Sequence, residues 1–166
     1  MPDSPRIILI MGVTGAGKTT IGRLLSTELG WPCFDADDFH SSASRDKMSR
    51  GLPLDDTDRA PWLAALRERI DGCLAAGRSA VFICSALREK YRQTLMGGAR
   101  TVSLVHLAGD LATIQARVNQ REDHYMKAGM VQSQFDALEA PADALTLDIR
   151  QPPEALVTEI RRRYAV

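Results

Sequence analysis

An α/β fold is predicted for this 166-residue chain, with a five-stranded parallel sheet and helices on both faces. Two observations carry the expectation. Five short apolar runs alternate with stretches of helical periodicity, and single strands separated by helices pair in parallel. The first run also leads straight into a glycine-rich turn and then a helix.

The strands are expected at 7–11, 32–35, 80–84, 102–107 and 145–149. A helix over 20–29 carries Ile21, Leu24 and Leu25 on one face. The polar stretch 41–50 starts at a capping serine, Ser41, and stops at Gly51. Residues 61–76 present Trp62, Leu63, Leu66, Ile70 and Leu74 as one stripe that Gly77 ends, and Trp62 and Leu63 read as core anchors. Helix 86–96 ends at Gly97-Gly98, and helix 111–121 follows Asp110 as its N-cap. Helix 153–164 has Pro153 in its first turn and Leu156, Val157 and Ile160 facing inward.

Length and composition suit one domain, 1–166, with a hydrophobic core. The formal net charge of +0 leaves no basic field for nucleic acid, and no polybasic stretch points to a membrane surface. Cys33, Cys73 and Cys84 lack metal-ligand spacing, and Cys33 and Cys84 read as small core filler. A reduced, cytoplasmic compartment fits, since the first apolar run is too short for a signal peptide or a membrane span.

In such sheets ligands bind at the carboxyl ends of the strands, so chemistry is sought there. After the first strand comes Gly12-Val13-Thr14-Gly15-Ala16-Gly17-Lys18-Thr19, a complete G-x-x-x-x-G-K-[ST] phosphate loop. Its glycines let successive N–H groups point into one concavity, and the following helix adds the positive end of its dipole. Gly12, Thr14, Gly15, Ala16, Gly17, Lys18, Thr19 and Thr20 are therefore expected to bind the phosphates. Lys18 reaches the β- and γ-phosphates, and the Thr19 hydroxyl joins the shell of a Mg2+ ion. ATP and Mg2+ are the implied cofactors.

Asp35, Asp37 and Asp38 follow the second strand. Three carboxylates so close repel one another unless a cation compensates, and Mg2+ prefers oxygen ligands. In a strand-like run Asp35 and Asp37 share a face and Asp38 points away. Asp35 is thus assigned to the water shell of the metal, and Asp37 to accepting the proton of an attacking hydroxyl. Beyond them, Lys47 and Arg59 bracket a turn at Gly51 and Pro53 and are expected to reach an anionic substrate. The third strand ends in Ser85, where a Walker B strand usually has Asp, which moves metal duty onto Asp35. Arg88 and Arg92 are one turn apart, so both are expected to face the pocket and hold a carboxylate or phosphate. After the fourth strand, Arg117, Arg121, His124 and Lys127 make a locally basic stretch. Residues 121–133 read as a small lid that brings Arg121 onto the phosphates when it closes, with Arg117 at the nucleotide.

Beyond the phosphate loop, the chain resembles the gluconokinases, P-loop kinases related in fold to shikimate and nucleoside monophosphate kinases. The resemblance rests on MGVTGAGKTT at 11–20, DADDFH at 35–40, KMSRGLPLDDTDRAPWL at 47–63, CSALREKYR at 84–92, REDHYM at 121–126 and SQFDALE at 133–139. The 47–63 and 84–92 blocks are the specific ones. The resemblance implies a P-loop kinase fold with a substrate-binding segment at about 38–76. It further implies transfer of the ATP γ-phosphoryl group to the 6-hydroxyl of D-gluconate, giving 6-phosphogluconate for the pentose phosphate route, by a homodimer. Asp37, His40, Lys47, Arg59, Ser85, Arg88 and Arg92 then line the acceptor site, and Lys18, Asp37 and Arg121 carry the chemistry. Family loops often have serine where this chain has Thr14, Ala16 and Thr19, and lysine is frequent where it has Arg88. Two rival readings stand beside it: a P-loop kinase for another small hydroxy acid or a nucleoside monophosphate, and a nucleotide-binding regulator without an acceptor.

Overall fold

The computed structural model describes residues 4–98, 100–120 and 128–166. Five strands, β1 (Ile7–Met11), β2 (Cys33–Asp35), β3 (Ala80–Ile83), β4 (Val102–Ala108) and β5 (Leu145–Asp148), form one sheet in the order β2-β3-β1-β4-β5. Every pairing is parallel; Ile7 stands opposite Ala80 on one side and Val102 on the other. From β1 the chain moves outward to β2, returns to β3, then crosses to β4 and β5 on the far side. The direction of winding therefore reverses at β1, which opens a crevice at its carboxyl end.

β1 is buried along its whole length because both of its faces are covered. Ile8 and Ile10 pack toward helices α1 (Lys18–Leu29), α5 (Leu111–Gln120) and α7 (Pro153–Tyr164), while Ile7, Leu9 and Met11 pack toward α3 (Asp56–Ala75) and α4 (Glu89–Met96). The period of two along a strand divides one continuous apolar run between two cores. Each fully buried side chain of this kind contributes about 1.5–3 kcal/mol. Trp62 is an anchor of the second core, as expected, and its indole N–H donates to the Ala36 carbonyl at 2.7 Å. Cys84 is buried, and burial pushes its thiol up to about 12, so it behaves as inert filler.

Several element boundaries differ from the expectation, each for a local reason. α3 begins at Asp56, not at 61, because Asp55 and Asp58 cap each other's backbone N–H in a capping box. Pro61 then sits inside the helix. α4 begins at Glu89, not at 86: Ala86 has φ 45 and Arg88 is extended, so the chain turns before it can coil. Residues Ala36–Phe39 form a 3-10 turn, not a strand-like run. The segment after 127 is helical, α6 (Ala128–Ala137), and Val131 is wholly buried against the α1 core. α2 (Ser42–Ser49) follows the Ser41 cap as read.

Candidate active site

The phosphate loop joins β1 to α1 at the reversal point. Gly15 has φ 79, and a Cβ there would lie 2.9 Å from Val118 on α5. At Gly12 a Cβ would lie 2.9 Å from the Leu107 carbonyl oxygen of β4. Glycine is thus required at both positions, by conformation and by the closeness of neighbouring elements. Gly17, also left-handed, caps α1, whose first residues are Lys18 and Thr19. Lys18 Nζ donates to the Gly12 and Val13 carbonyls at 2.9 and 3.0 Å, so it lies folded over its own loop. The Thr14 N–H donates to Oε1 of Gln134, on α6, at 2.6 Å. Thr19 and Thr20 are exposed at the helix start.

Beside the loop, a cleft of about 370 Å3 is lined by Gly15, Gly17, Thr20, Arg117, Gln151 and Leu156 among others. Its size suits a nucleoside. Arg117 faces it while donating to the Ile149 carbonyl, which ties α5 to the segment after β5. Arg117 was expected beside a nucleotide; Ile149, Gln151, Pro153 and Leu156, which line the same cleft, were not singled out. The signal was present: these residues follow a strand, the position where ligand contacts concentrate.

On the opposite side of the loop stand the ends of β2 and β3. Asp35 accepts the Asp37 N–H at 3.0 Å and caps the 3-10 turn. Alternation along a strand therefore does not assign the acids their faces; the turn does. Asp37 is open to solvent yet closely surrounded by protein. Desolvation raises its carboxyl above the ordinary range, Asp35 adds repulsion, and His40 and Lys18 pull the other way. His40 stacks on Trp62, ring centroids 4.4 Å apart, and its buried Nδ1 has no hydrogen-bond partner among the described residues. Burial lowers its pKa against the opposing pull of Asp37. Arg45 donates to the Asp38 and His40 carbonyls and so braces this turn.

The basic residues expected to hold an acceptor are less free than their spacing implied. Lys47 pairs with Asp58 at 2.9 Å. Arg59 donates to the Tyr91 hydroxyl at 3.1 Å, and that hydroxyl donates to Asp56. Ser85 accepts the Gly12 N–H at 3.4 Å through its carbonyl, so the third strand end touches the phosphate loop. Arg92 requires a correction. It is 2% exposed, and its guanidinium donates to the carbonyls of Ala86, Leu87 and Glu139 and to the Glu89 carboxylate. It holds the loop together and does not face a pocket. Nor do Arg88 and Arg92 share a helix face, since Arg88 lies outside α4 as its N-cap. Arg88 is part-exposed, 3.6 Å from Glu139. Arg121, His124 and Lys127, with the first half of the expected lid, lie outside the described residues.

The phosphate loop follows β1 and the acidic turn follows β2, so both stand at the carboxyl edge of one parallel sheet. Fold and site together define a P-loop kinase. A family model described as an AAA domain matches residues 7–145. The gluconokinase of Arabidopsis thaliana is 41% identical, with 96% of this chain and 93% of that protein covered. The gluconokinase of Gluconobacter oxydans (strain 621H) is 37% identical, with 96% and 92% covered. Among solved structures, a gluconokinase from Sinorhizobium meliloti 1021 superposes with a TM-score of 0.83 at 36% identity, covering 94% of this chain and 89% of that one. The chain belongs to the gluconokinase family. No described helix is long and apolar enough to cross a membrane.

Proposed function

We propose that this chain transfers the γ-phosphoryl group of ATP to the 6-hydroxyl of D-gluconate, giving 6-phospho-D-gluconate and ADP. One juxtaposition carries the reading: Lys18 follows β1 and Asp37 follows β2 at the same carboxyl edge of the parallel sheet, and the acid feels the lysine's charge. An acid and the phosphate-binding lysine thus share one crevice, and an acceptor hydroxyl between them is aligned by both.

The raised pKa makes the Asp37 carboxylate a stronger base than an ordinary aspartate, suited to taking the proton as the hydroxyl oxygen bonds to phosphorus. The bond from that phosphorus to the bridging oxygen breaks, and ADP leaves. Lys18, released from the Gly12 and Val13 carbonyls, follows the charge that spreads over the transferred oxygens. Arg117 borders the nucleoside cleft, and Arg121 of the lid would add a second cation to the phosphates. His40, Lys47, Arg59, Ser85 and Arg88 would bind the hydroxyls and carboxylate of the acid; the unpartnered His40 Nδ1 favours a hydroxyl.

The available donors suit Mg2+. Thr19 in the first turn of α1 and Asp35 at the end of β2 supply hard oxygens. Held by these residues, the ion would neutralise phosphate charge. The chain is read as one working unit, 1–166, acting as a homodimer in the cytoplasm, with its acceptor segment at about 38–76 and its lid confined to 121–127, because Val131 of the expected 121–133 is buried within α6.

ADP release is the test, measured with a coupled assay over a panel of aldonic acids, shikimate and nucleoside monophosphates. Fastest turnover is expected with gluconate. Fastest turnover with a monophosphate would reassign the acceptor, and ATP hydrolysis indifferent to every acceptor would make the chain a nucleotide-binding regulator. Light scattering checks the dimer.

A further inference from the structure

The SQFDALE stretch at 133–139 has no part in the chemistry described above, yet it touches both sides of the site. At its start, Gln134 accepts the Thr14 N–H of the phosphate loop. At its end, Glu139 makes four contacts with the segment that follows β3. Its N–H donates to the Leu87 carbonyl at 2.8 Å, and its Oε2 accepts the Glu89 N–H at 2.6 Å. Its carbonyl accepts from Arg92 at 2.7 Å, and its Oε1 lies 3.6 Å from Arg88.

Two features of 84–92 explain why such an outside brace is needed. Ala86 is a non-glycine residue at φ 45, a conformation that persists only where the surroundings enforce it. Arg92 enforces it by donating to the Ala86 and Leu87 carbonyls, and the Glu139 carbonyl in turn holds the other arm of Arg92. The second feature is the start of α4. Its N-cap residue, Arg88, makes no side-chain cap. The Glu139 carboxylate supplies that cap from 50 residues away and places negative charge at the positive end of the helix. Ser85 and Arg88, two of the residues read as acceptor contacts, lie on the segment so held.

We propose that Glu139 is a positioning residue for the acceptor: by capping α4 it sets the 84–89 segment, and with it Arg88, against the incoming acid. Gln134 anchors the same strap at the phosphate loop, which keeps the two sides in register. The proposal rests on the gluconate reading, but its test is separable. Wild-type turnover with gluconate tests the reading; Glu139 variants of the full chain test the proposal.

Glu139→Asp keeps the charge but shortens the reach by one methylene, so the Glu89 N–H loses its partner. Gluconate KM is expected to rise about tenfold, with ATP KM within about twofold. Glu139→Gln keeps an oxygen in the same place and is expected to restore gluconate KM to within about threefold of wild type, because an exposed pair such as Arg88–Glu139 contributes little. Amide exchange at 86–89 is expected to quicken about tenfold or more in Glu139→Asp and to remain slow in Glu139→Gln, whatever the acceptor is. A merely structural role would lower melting temperature and shift both KM values together. That outcome, or unchanged gluconate KM and exchange in Glu139→Asp, overturns the proposal.

Discussion

The two sides of the crevice are built from different materials. On the nucleotide side the anion site is main chain: glycines at 12, 15 and 17 with positive φ and the first turn of α1. On the acceptor side it is side chain, and most of the charges there are already engaged with one another. Lys47 is held by Asp58, Arg59 by Tyr91, Lys90 by Asp56 and Arg92 by three carbonyls and Glu89. Backbone recognition follows from local conformation and serves any polyphosphate. Side-chain recognition depends on which partners the fold brings near, so it is the side on which specificity can be adjusted.

The largest effect is expected where the two sides meet. Asp37→Asn should lower kcat by about 10²–10⁴-fold while ATP still binds, which calorimetry and steady-state assay check together. An unimpaired variant would remove Asp37 from the chemistry. The same substitution also probes stability. A folded-state pKa raised above the unfolded value means that the neutral form is favoured on folding, so the stability this group contributes is lost as pH rises through its titration. Near neutral pH Asp37→Asn should therefore melt no lower than wild type, and slightly higher, in a thermal scan.

Next in size is the nucleotide side. Gly15→Ala forces a Cβ toward Val118 at φ 79 and is expected to weaken ATP binding on the order of 100-fold, with gluconate KM far less affected. Equal damage to both substrates would mean that the two sides are not separable.

Arg92→Met tests the reassignment of that arginine. Three carbonyls lose their donor, at a cost of about 2–4 kcal/mol, and the melting temperature should fall on the order of 10 °C. If the variant keeps its stability and instead loses gluconate affinity alone, Arg92 is a substrate ligand after all.

The smallest effect is the pH profile. The acid limb of kcat/KM should lie above the ordinary aspartate value of 3.8 because Asp37 is raised, and it should vanish from the residual activity of Asp37→Asn. A limb at or below 3.8 would contradict the desolvated carboxyl.

Particular residues show how far the sequence could be read. The alternation of apolar runs with helical stretches was sufficient for the five strands, because a strand covered on both faces must be apolar throughout, as Ile7–Met11 is. Spacing misled at Arg88 and Arg92. Four residues apart predicts a shared face only if both are helical, and Ala86 at φ 45 delays the helix until Glu89. The buried position of Arg92 depends on Glu139, which lies 47 residues further on, and no local pattern records that. α6 escaped for a similar reason, since Val131 is buried by a core assembled from distant helices.

By itself, the sequence determined what short-range sterics and periodicity control: the two-period split of β1, the cap at Ser41, and the glycines that shape the anion nest. Only the tertiary structure decided which charges are spent and which remain for a ligand. The desolvation of Asp37, the burial of Arg92 and the two-ended hold of Gln134 and Glu139 are properties of elements brought together from far apart in the chain. The reason is physical: φ and ψ are set by neighbours in sequence, whereas a charge answers to whatever surrounds it in space.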